Sequence, residues 1–290
     1  MTQTHTYAFL GPKGTFSQEA TLALAKNVAG VTRACEGDNF IECVTIPEVF
    51  EQVTSGHATY GVVPIENSLE GSVNATLDEF AFNGADIRIL AEKTLDIHQN
   101  LIVAKGSTLE QITTIVSHPQ ATGQSARWIA RNLPGRQVIA SNSTAEAVPI
   151  ALATPGYAAI GPHIAADIYG GEVLAARIED FAGNQTRFAL IGREEHALAS
   201  KPSGCDKTSL ALFLRTDKPG ALLMILAEFD YGGINLSKIQ SRPTKKGMGD
   251  YMFFVDLEGH VDDPDIKTAL DSLKLKLREV RVLGSYPRDI

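Results

Sequence analysis

The feature that most constrains this sequence is a regular alternation of short apolar runs with helix-like segments through its first 195 residues. Apolar runs at residues 6–10, 60–65, 114–117 and 138–140 each lead into a turn or a helix start. Such alternation is typical of α/β folds, in which helices cover a largely parallel sheet. We therefore predict an α/β architecture for this part of the chain.

Several of these apolar runs end in small polar clusters. Residues 11–17 read GPKGTFS, residues 66–73 read ENSLEGSV, and residues 117–120 read SHPQ. Residues 184–188 read NQTRF and precede the apolar run ALI. Open α/β sheets bind ligands at the ends of their strands, so we expect these clusters to line one cleft between two lobes.

The NQTRF segment offers three kinds of chemistry in adjacent residues. Thr186 has a hydroxyl, Arg187 has a planar guanidinium suited to a carboxylate, and Phe188 has an apolar ring. Taken alone, these residues are better explained as ordinary strand positions with a solvated arginine. The other polar clusters strengthen the functional interpretation.

The GPKGTFS turn does not have the glycine–lysine spacing of a nucleotide-binding P-loop.

A different pattern follows residues 196–206, which are rich in Ala, Ser, Pro and Gly and are typical of a linker. The subsequent pattern predicts a strand, a helix, two strands, a helix and a strand. These elements fall at residues 208–214, 219–229, 234–239, 251–257, 264–275 and 280–283. This is the ferredoxin-like βαββαβ order. We therefore predict a domain over residues 1–195 and a second domain over residues 207–290.

Composition excludes several classes of partner. A net charge of -8 argues against binding to nucleic acid or to an anionic membrane, which requires a basic surface. The sequence has no apolar run of membrane-spanning length and no secretion signal, and its scattered histidines predict no metal site. Three cysteines without metal spacing, Cys35, Cys43 and Cys205, indicate reduced thiols in a cytoplasmic protein.

With these motifs in order along nearly its whole length, the chain resembles prephenate dehydratases that carry a C-terminal ACT regulatory domain. The resemblance depends on GPKGTFS, on VPIENS at residues 63–68, on SHPQ, and most specifically on Thr-Arg-Phe at residues 186–188. In the C-terminal part it depends on GALL at residues 220–223 and SRP at residues 241–243. It implies a two-lobed catalytic domain like type II periplasmic binding proteins, a ferredoxin-like ACT domain and no cofactor.

The resemblance implies conversion of prephenate to phenylpyruvate, water and carbon dioxide, a step of phenylalanine biosynthesis. Thr186 would donate to the leaving hydroxyl, Arg187 would clamp a carboxylate, and Phe188 would exclude water. The proton would come from a protonated Glu66 or from water. Substrate-binding roles would fall to Asn67, Ser68, Gly71, Ser117, Gln124 and Thr15.

The ACT resemblance implies feedback by phenylalanine bound between paired ACT domains of a homodimer or homotetramer. The residues expected at that site are Gly220, Ala221, Leu222, Asn235, Leu236 and Ser241. Gln240 stands where the family usually has Glu before Ser-Arg-Pro, so the strength and sign of the feedback stay open.

Two other functions fit the same sequence. An arogenate dehydratase would use the same site on a substrate that has an ammonium in place of the keto group. A non-catalytic binding or sensor protein would use the two-lobed fold without chemistry. The absence of a secretion signal and of a DNA-binding module argues against the second alternative.

Overall fold

The computed structural model describes residues 5–28, 39–196, 202–216, 218–245, 247 and 250–289. These residues form two α/β lobes and a C-terminal βαββαβ domain, and each of the three contains one β-sheet. The predicted fold class is confirmed. No helix within these ranges is long and apolar enough to cross a membrane.

The first lobe contains a mixed six-stranded sheet. Its strands are β1 (Thr6–Leu10), β2 (Asn39–Cys43), β3 (Tyr60–Asn67), β4 (Gly71–Ser72), β5 (Ile87–Asp96) and β11 (Gln185–Arg193), and its helices are α1 (Phe16–Val28), α2 (Ile46–Thr54) and α3 (Asn74–Phe82). The strand order is β2-β1-β3-β11-β5, with β4 paired to β3. The sheet is less parallel than predicted, because the chain leaves this lobe after β5 and returns as β11, antiparallel to both of its neighbours.

The second lobe contains a five-stranded sheet in the order β10-β6-β9-β7-β8. Its strands are β6 (Asn100–Val103), β7 (Thr114–Ser117), β8 (Gln137–Ala140), β9 (Tyr157–Gly161) and β10 (Glu172–Ala175), and its helices are α4 (Pro119–Gln124), α5 (Ala126–Asn132), α6 (Thr144–Ala153) and α7 (His163–Tyr169). Strand β7 is parallel to β8 and β9, whereas β6 is antiparallel to β9 and β10.

Two segments, residues 97–99 and residues 176–184, connect the lobes and lie side by side. The Ile97 amide donates to the Asn184 carbonyl at 2.8 Å, and the Ile178 amide donates to the Gln99 carbonyl at 2.8 Å. These backbone hydrogen bonds join the two connecting segments into one unit next to the cleft, which we call the hinge.

The C-terminal domain has a four-stranded antiparallel sheet with two helices on one face. Its elements are β12 (Asp206–Phe213), α8 (Ala221–Tyr231), β13 (Leu236–Pro243), β14 (Tyr251–Glu258), α9 (Pro264–Lys276) and β15 (Glu279–Pro287), and its strand order is β13-β14-β12-β15. Residues 197–201 of the predicted linker lie outside the described residues. We propose that the two domains divide within residues 196–206.

The face of the C-terminal sheet that carries no helix packs on the first lobe. Phe213, Phe254 and Tyr286 are buried in the same apolar cluster as Phe80 and Ile89 of the first lobe. Residues of the C-terminal sheet therefore lie within contact distance of the strands that carry the candidate site.

Candidate active site

A cleft of about 250 Å³ lies between the two lobes. It is lined by residues of both lobes and of the hinge: Phe16, Ser17, Pro64, Asn67, Ile97, Gln99, His118, Gln120, Ala121, Gln124, Asn142, Ser143, Thr144, Asn184, Thr186 and Phe188. The polar clusters that follow the apolar runs therefore do converge on one site.

Thr186 and Asn67 both line this cleft and contact each other. They lie opposite each other in the pairing of β11 with β3, and Asn67 Nδ2 donates to Thr186 Oγ1 at 2.9 Å. Asn67 Oδ1 accepts from the amides of Leu69 and Glu70 at 2.9 and 3.0 Å. These two backbone donors fix the amide orientation, so the NH₂ group must face the hydroxyl.

The hydroxyl of Thr186 is therefore polarised as an acceptor on one side. Among the described residues, it has no acceptor for its own proton. Thr186 is 9% exposed and Phe188 is 2% exposed, so the hydroxyl and the ring are largely shielded from bulk solvent at the wall of the cleft. This arrangement can donate one hydrogen bond to a bound molecule.

Arg187 lies on the opposite face of β11, because successive residues of a strand face opposite sides of the sheet. It is not among the residues that line the cleft. In this conformation the guanidinium contacts protein carboxylates, so its placement does not support the predicted clamp on a substrate carboxylate.

Arg187 belongs instead to a group of charged side chains between the first lobe and the C-terminal domain, which we call the interdomain charge cluster. Its members are Glu66, Glu92, Arg187, Lys207, Lys238 and Asp256. The guanidinium lies 2.5 Å from Asp256, 3.1 Å from Glu92 and 3.3 Å from Glu66. Lys207 pairs with Glu92 at 2.8 Å, and Lys238 pairs with Glu66 at 3.3 Å.

Burial and ion pairing act against each other in this cluster. Burial disfavours ionised Asp256, but the charge of Arg187 and the hydroxyl of Ser209 outweigh it, so the pKa of Asp256 lies below its ordinary value. Burial also disfavours the Arg187 cation, yet the carboxylate of Asp256 raises the pKa of Arg187 above its ordinary value. Both groups are therefore charged, and each depends on the other.

Glu66 lies on the same side of the sheet as Arg187, since it precedes Asn67 in β3. The proton-donor role predicted for Glu66 needs burial and anionic neighbours. Its side chain is 37% exposed, and its neighbours are the cations Arg187 and Lys238. This placement does not support Glu66 as the acid.

The other predicted substrate-binding residues divide into two groups. Gln124 lines the cleft, and its Oε1 lies 3.5 Å from the amide nitrogens of Gln99 and Asn184. Ser117 does not line it, because its buried hydroxyl donates to the Ile160 carbonyl at 2.6 Å and ties β7 to β9. Its side chain therefore stabilises the second lobe.

Thr15, Ser68 and Gly71 shape the loops around the cleft without lining it. The Thr15 hydroxyl donates to the Leu10 carbonyl and accepts from the Gln18 amide at the start of α1. The Ser68 hydroxyl accepts from the Gln185 amide at 2.9 Å. Gly71 has a φ of 80°, the left-handed region that favours glycine, at the start of β4.

Gln99 lines the cleft without having been predicted there, and Asn184, the first residue of the NQTRF segment, lines it without a predicted role of its own. Asn184 accepts from Asn67 Nδ2 at 2.8 Å, and Gln99 lies in the hinge. The signal for Gln99 was present, since residues 98–100, HQN, interrupt a long extended apolar region.

The candidate effector residues fall into two groups that do not share one hollow. Gly220, Ala221 and Leu222 line an apolar hollow of about 380 Å³ at the start of α8, together with Phe253. Asn235, Leu236 and Ser241 lie just before or within β13, and none of them lines that hollow. Gln240 faces the first lobe, where its Oε1 lies 3.5 Å from the Ser72 hydroxyl.

Within the described ranges, no group of three or more His, Cys, Asp or Glu side chains is placed to hold a metal ion. Cys43 is a buried free thiol and Cys205 is an exposed one. Cys35 lies outside the described residues.

Comparison with known proteins identifies the family. Residues 7–196 match the family model for prephenate dehydratase, and residues 208–275 match the model for the ACT domain. The chain is 42% identical, over 97% of its length and 73% of the relative's, to a bifunctional chorismate mutase/prephenate dehydratase of Aquifex aeolicus. It is 38% identical to a prephenate dehydratase of Mycolicibacterium vanbaalenii, over 97% of its own length and 90% of the relative's.

A solved structure agrees with these sequence relatives. The crystal structure of prephenate dehydratase from Arthrobacter aurescens in complex with L-Phe superimposes with a TM-score of 0.85 and 37% identity, over 98% of this chain and 90% of that one. The chain therefore belongs to the prephenate dehydratase family and carries a C-terminal ACT domain.

Proposed function

We propose that this protein is a lyase that converts prephenate to phenylpyruvate, water and carbon dioxide in the cleft between its lobes. The observation that carries the proposal is the Thr186 hydroxyl, held as an acceptor by Asn67 at 2.9 Å and left with a proton to donate into the cleft. This is the group that departure of a ring hydroxyl requires.

The chemistry makes few demands on the protein. The bond from the ring to the carboxylate breaks, and its electron pair enters the ring while carbon dioxide leaves. The bond from the ring to the hydroxyl breaks with its pair on oxygen, and the departing hydroxide takes up one proton from the solvent, so that the net reaction consumes one proton and releases water. Thr186 stabilises the developing charge on that oxygen through its hydrogen bond, and Phe188 keeps the ring in apolar surroundings.

We propose that uncharged groups hold the two carboxylates of prephenate, since none of the described residues that line the cleft is Arg or Lys. The side-chain amides of Gln120 and Gln124 are donors there. Helix α1, of 13 residues, and helix α6, of 10 residues, both begin at the cleft. Their N-termini favour negative charge.

The cleft favours prephenate over arogenate. The two substrates differ by an ammonium, which an anionic side chain would stabilise. No described residue that lines the cleft is Asp or Glu. We expect the ratio kcat/KM to be higher for prephenate.

We further propose that phenylalanine binds the ACT domain and regulates the enzyme. A structure of a relative with L-Phe and the hollow beside Gly220 support this. Strand β13 is at the edge of its sheet and exposes Ile239, and Tyr251 at the start of neighbouring β14 is also exposed, which suits pairing of ACT domains in a homodimer or homotetramer. We place the protein in the cytoplasm.

The interdomain charge cluster offers a route from the ACT domain to the cleft. Asp256 and Lys238 belong to the ACT sheet, and they contact Arg187 and Glu66. In sequence, Arg187 directly follows Thr186, and Glu66 directly precedes Asn67. A shift of the ACT sheet would therefore move the two strands that carry the Asn67–Thr186 bond, with a coupling of about 1–3 kcal/mol.

Ultraviolet detection of phenylpyruvate tests the proposal on the purified protein, with prephenate and arogenate assayed in parallel. Conversion of prephenate supports the enzyme assignment, whereas binding without conversion supports a binding or sensor protein. Calorimetry with phenylalanine tests the effector, and absence of both binding and any effect on activity would reject the regulatory proposal.

A further inference from the structure

The side chain of Gln99 is buried at the cleft with an unsatisfied carbonyl oxygen. The residue is 4% exposed and lines the cleft, and its Oε1 has no hydrogen-bond partner among the described residues. A buried acceptor without a donor costs folding free energy, so each such group in a folded protein needs an explanation.

The position of Gln99 is fixed from several sides. Its backbone amide donates to Glu179 Oε2 at 2.9 Å, and its carbonyl accepts from the Ile178 amide at 2.8 Å. Its Nε2 lies 3.5 Å from Gln124 Oε1, which the amide nitrogen of Asn184 also approaches at 3.5 Å. With two donors directed at Gln124 Oε1, the nitrogen of Gln99 faces Gln124, and its oxygen is left for another donor.

We propose that Gln99 Oε1 accepts a hydrogen bond from the ring hydroxyl of the substrate, which makes Gln99 a further substrate-positioning residue. The inference rests on the proposed function. The carboxylates and the keto group of prephenate are acceptors only, and its hydroxyl is its one donor. A buried acceptor in this cleft can therefore be satisfied by the substrate only through that hydroxyl.

The two side chains then have complementary roles at one oxygen. Gln99 Oε1 accepts the hydrogen bond that the hydroxyl donates, and Thr186 Oγ1 donates to a lone pair of the same oxygen. A hydroxyl held between an acceptor and a donor has a fixed orientation, so its bond to the ring is presented in one geometry for cleavage.

The product supplies a matched control, because phenylpyruvate lacks the ring hydroxyl. Gln99→Met keeps the length of the side chain and removes the acceptor. We expect kcat/KM for prephenate to fall about tenfold or more, which is the range for loss of one buried hydrogen bond. The inhibition constant of phenylpyruvate should stay within about twofold of wild type, since no hydrogen bond to it is lost.

A purely structural role for Gln99 gives a different result, in which substrate and product are affected by the same factor. That result, or an unchanged kcat/KM, would overturn the inference. If wild type does not convert prephenate, the proposed function fails and not the role of Gln99 alone. Should Gln99→Met not fold, Gln99→Asn withdraws the acceptor by one carbon, and the same selective loss is expected.

Discussion

Asn67 Nδ2 donates to Thr186 Oγ1 at 2.9 Å, and this bond determines which way the threonine hydroxyl can act. The amide cannot turn over, because its oxygen accepts from the backbone of Leu69 and Glu70. The hydroxyl consequently accepts from the protein and has its proton available for a bound molecule.

Asn67→Asp should reverse that polarity. The carboxylate keeps an acceptor for the amides of Leu69 and Glu70, but it cannot donate to Thr186, whose proton would turn toward Asp. We expect kcat to fall about a hundredfold, as when one preorganised donor is lost, and the melting temperature to fall by a few degrees, because Asn184 Oδ1 and the Gln185 carbonyl lose the same donor. Steady-state kinetics with thermal denaturation tests this. A kcat near the wild-type value would show that the bond does not direct the hydroxyl.

Arg187→Met should act mainly on stability. The substitution leaves Asp256 and Glu92 without their arginine, and breaking a buried ion pair costs about 3–5 kcal/mol of unfolding free energy. Arg288→Met is the matched control, because its pair with Glu258 is about one-third exposed on each side and should contribute about 1 kcal/mol or less. Urea denaturation measures both variants.

The kinetics of Arg187→Met separate this role from the carboxylate clamp. Our account expects a larger loss of stability than of prephenate binding. A large rise in KM for prephenate at unchanged stability would instead support the role of Arg187 in holding a substrate carboxylate.

Asp256 should make stability depend on pH in acid. Its pKa is lower in the folded protein than its ordinary value of 3.8, so its contribution is complete above about pH 4 and is lost as the pH falls through the folded pKa. We expect Asp256→Asn to be less stable than wild type at pH 7 and the difference to shrink below about pH 4. Urea titrations from pH 7 to pH 3 measure it, and a difference that does not change with pH would exclude the carboxylate as its source.

Gly284 allows the ACT sheet to pack directly on the first lobe. A Cβ at this position would collide with the carbonyl oxygen of Ile89 in β5, whereas a Cβ at Gly247 would meet open space. We expect Gly284→Ala to displace the ACT domain, lower the melting temperature by several degrees and weaken the response to phenylalanine. Gly247→Ala is the control and should match wild type. Equal behaviour of the two variants would argue against close packing here.

The sequence motifs predicted the lobes, the ACT domain and the position of the cleft, because strand ends and turn chemistry are local properties. The two-residue period of a strand also implies that Thr186 and Arg187 face opposite sides of the sheet, which is incompatible with the expectation that both act on one substrate. Of the three residues of the Thr-Arg-Phe run in β11, only Thr186 and Phe188 line the cleft.

Other features could not be read from the sequence. Arg187 pairs with Asp256, 69 positions away, and Lys207 pairs with Glu92, 115 positions away. Such pairings follow from how the ACT sheet packs on the first lobe, which no local pattern encodes. The buried carbonyl of Gln99 likewise becomes apparent only when its surroundings are known.

The most direct measurement is the rate of phenylpyruvate formation from prephenate by wild type, Thr186→Val and Thr186→Ser. Valine matches the shape of threonine without the hydroxyl, and serine keeps the hydroxyl without the methyl group. We predict that kcat falls about a hundredfold or more in Thr186→Val with a much smaller change in KM, and that Thr186→Ser retains most of the rate. A Thr186→Val enzyme with nearly wild-type kcat would contradict the claim that this hydroxyl drives the reaction.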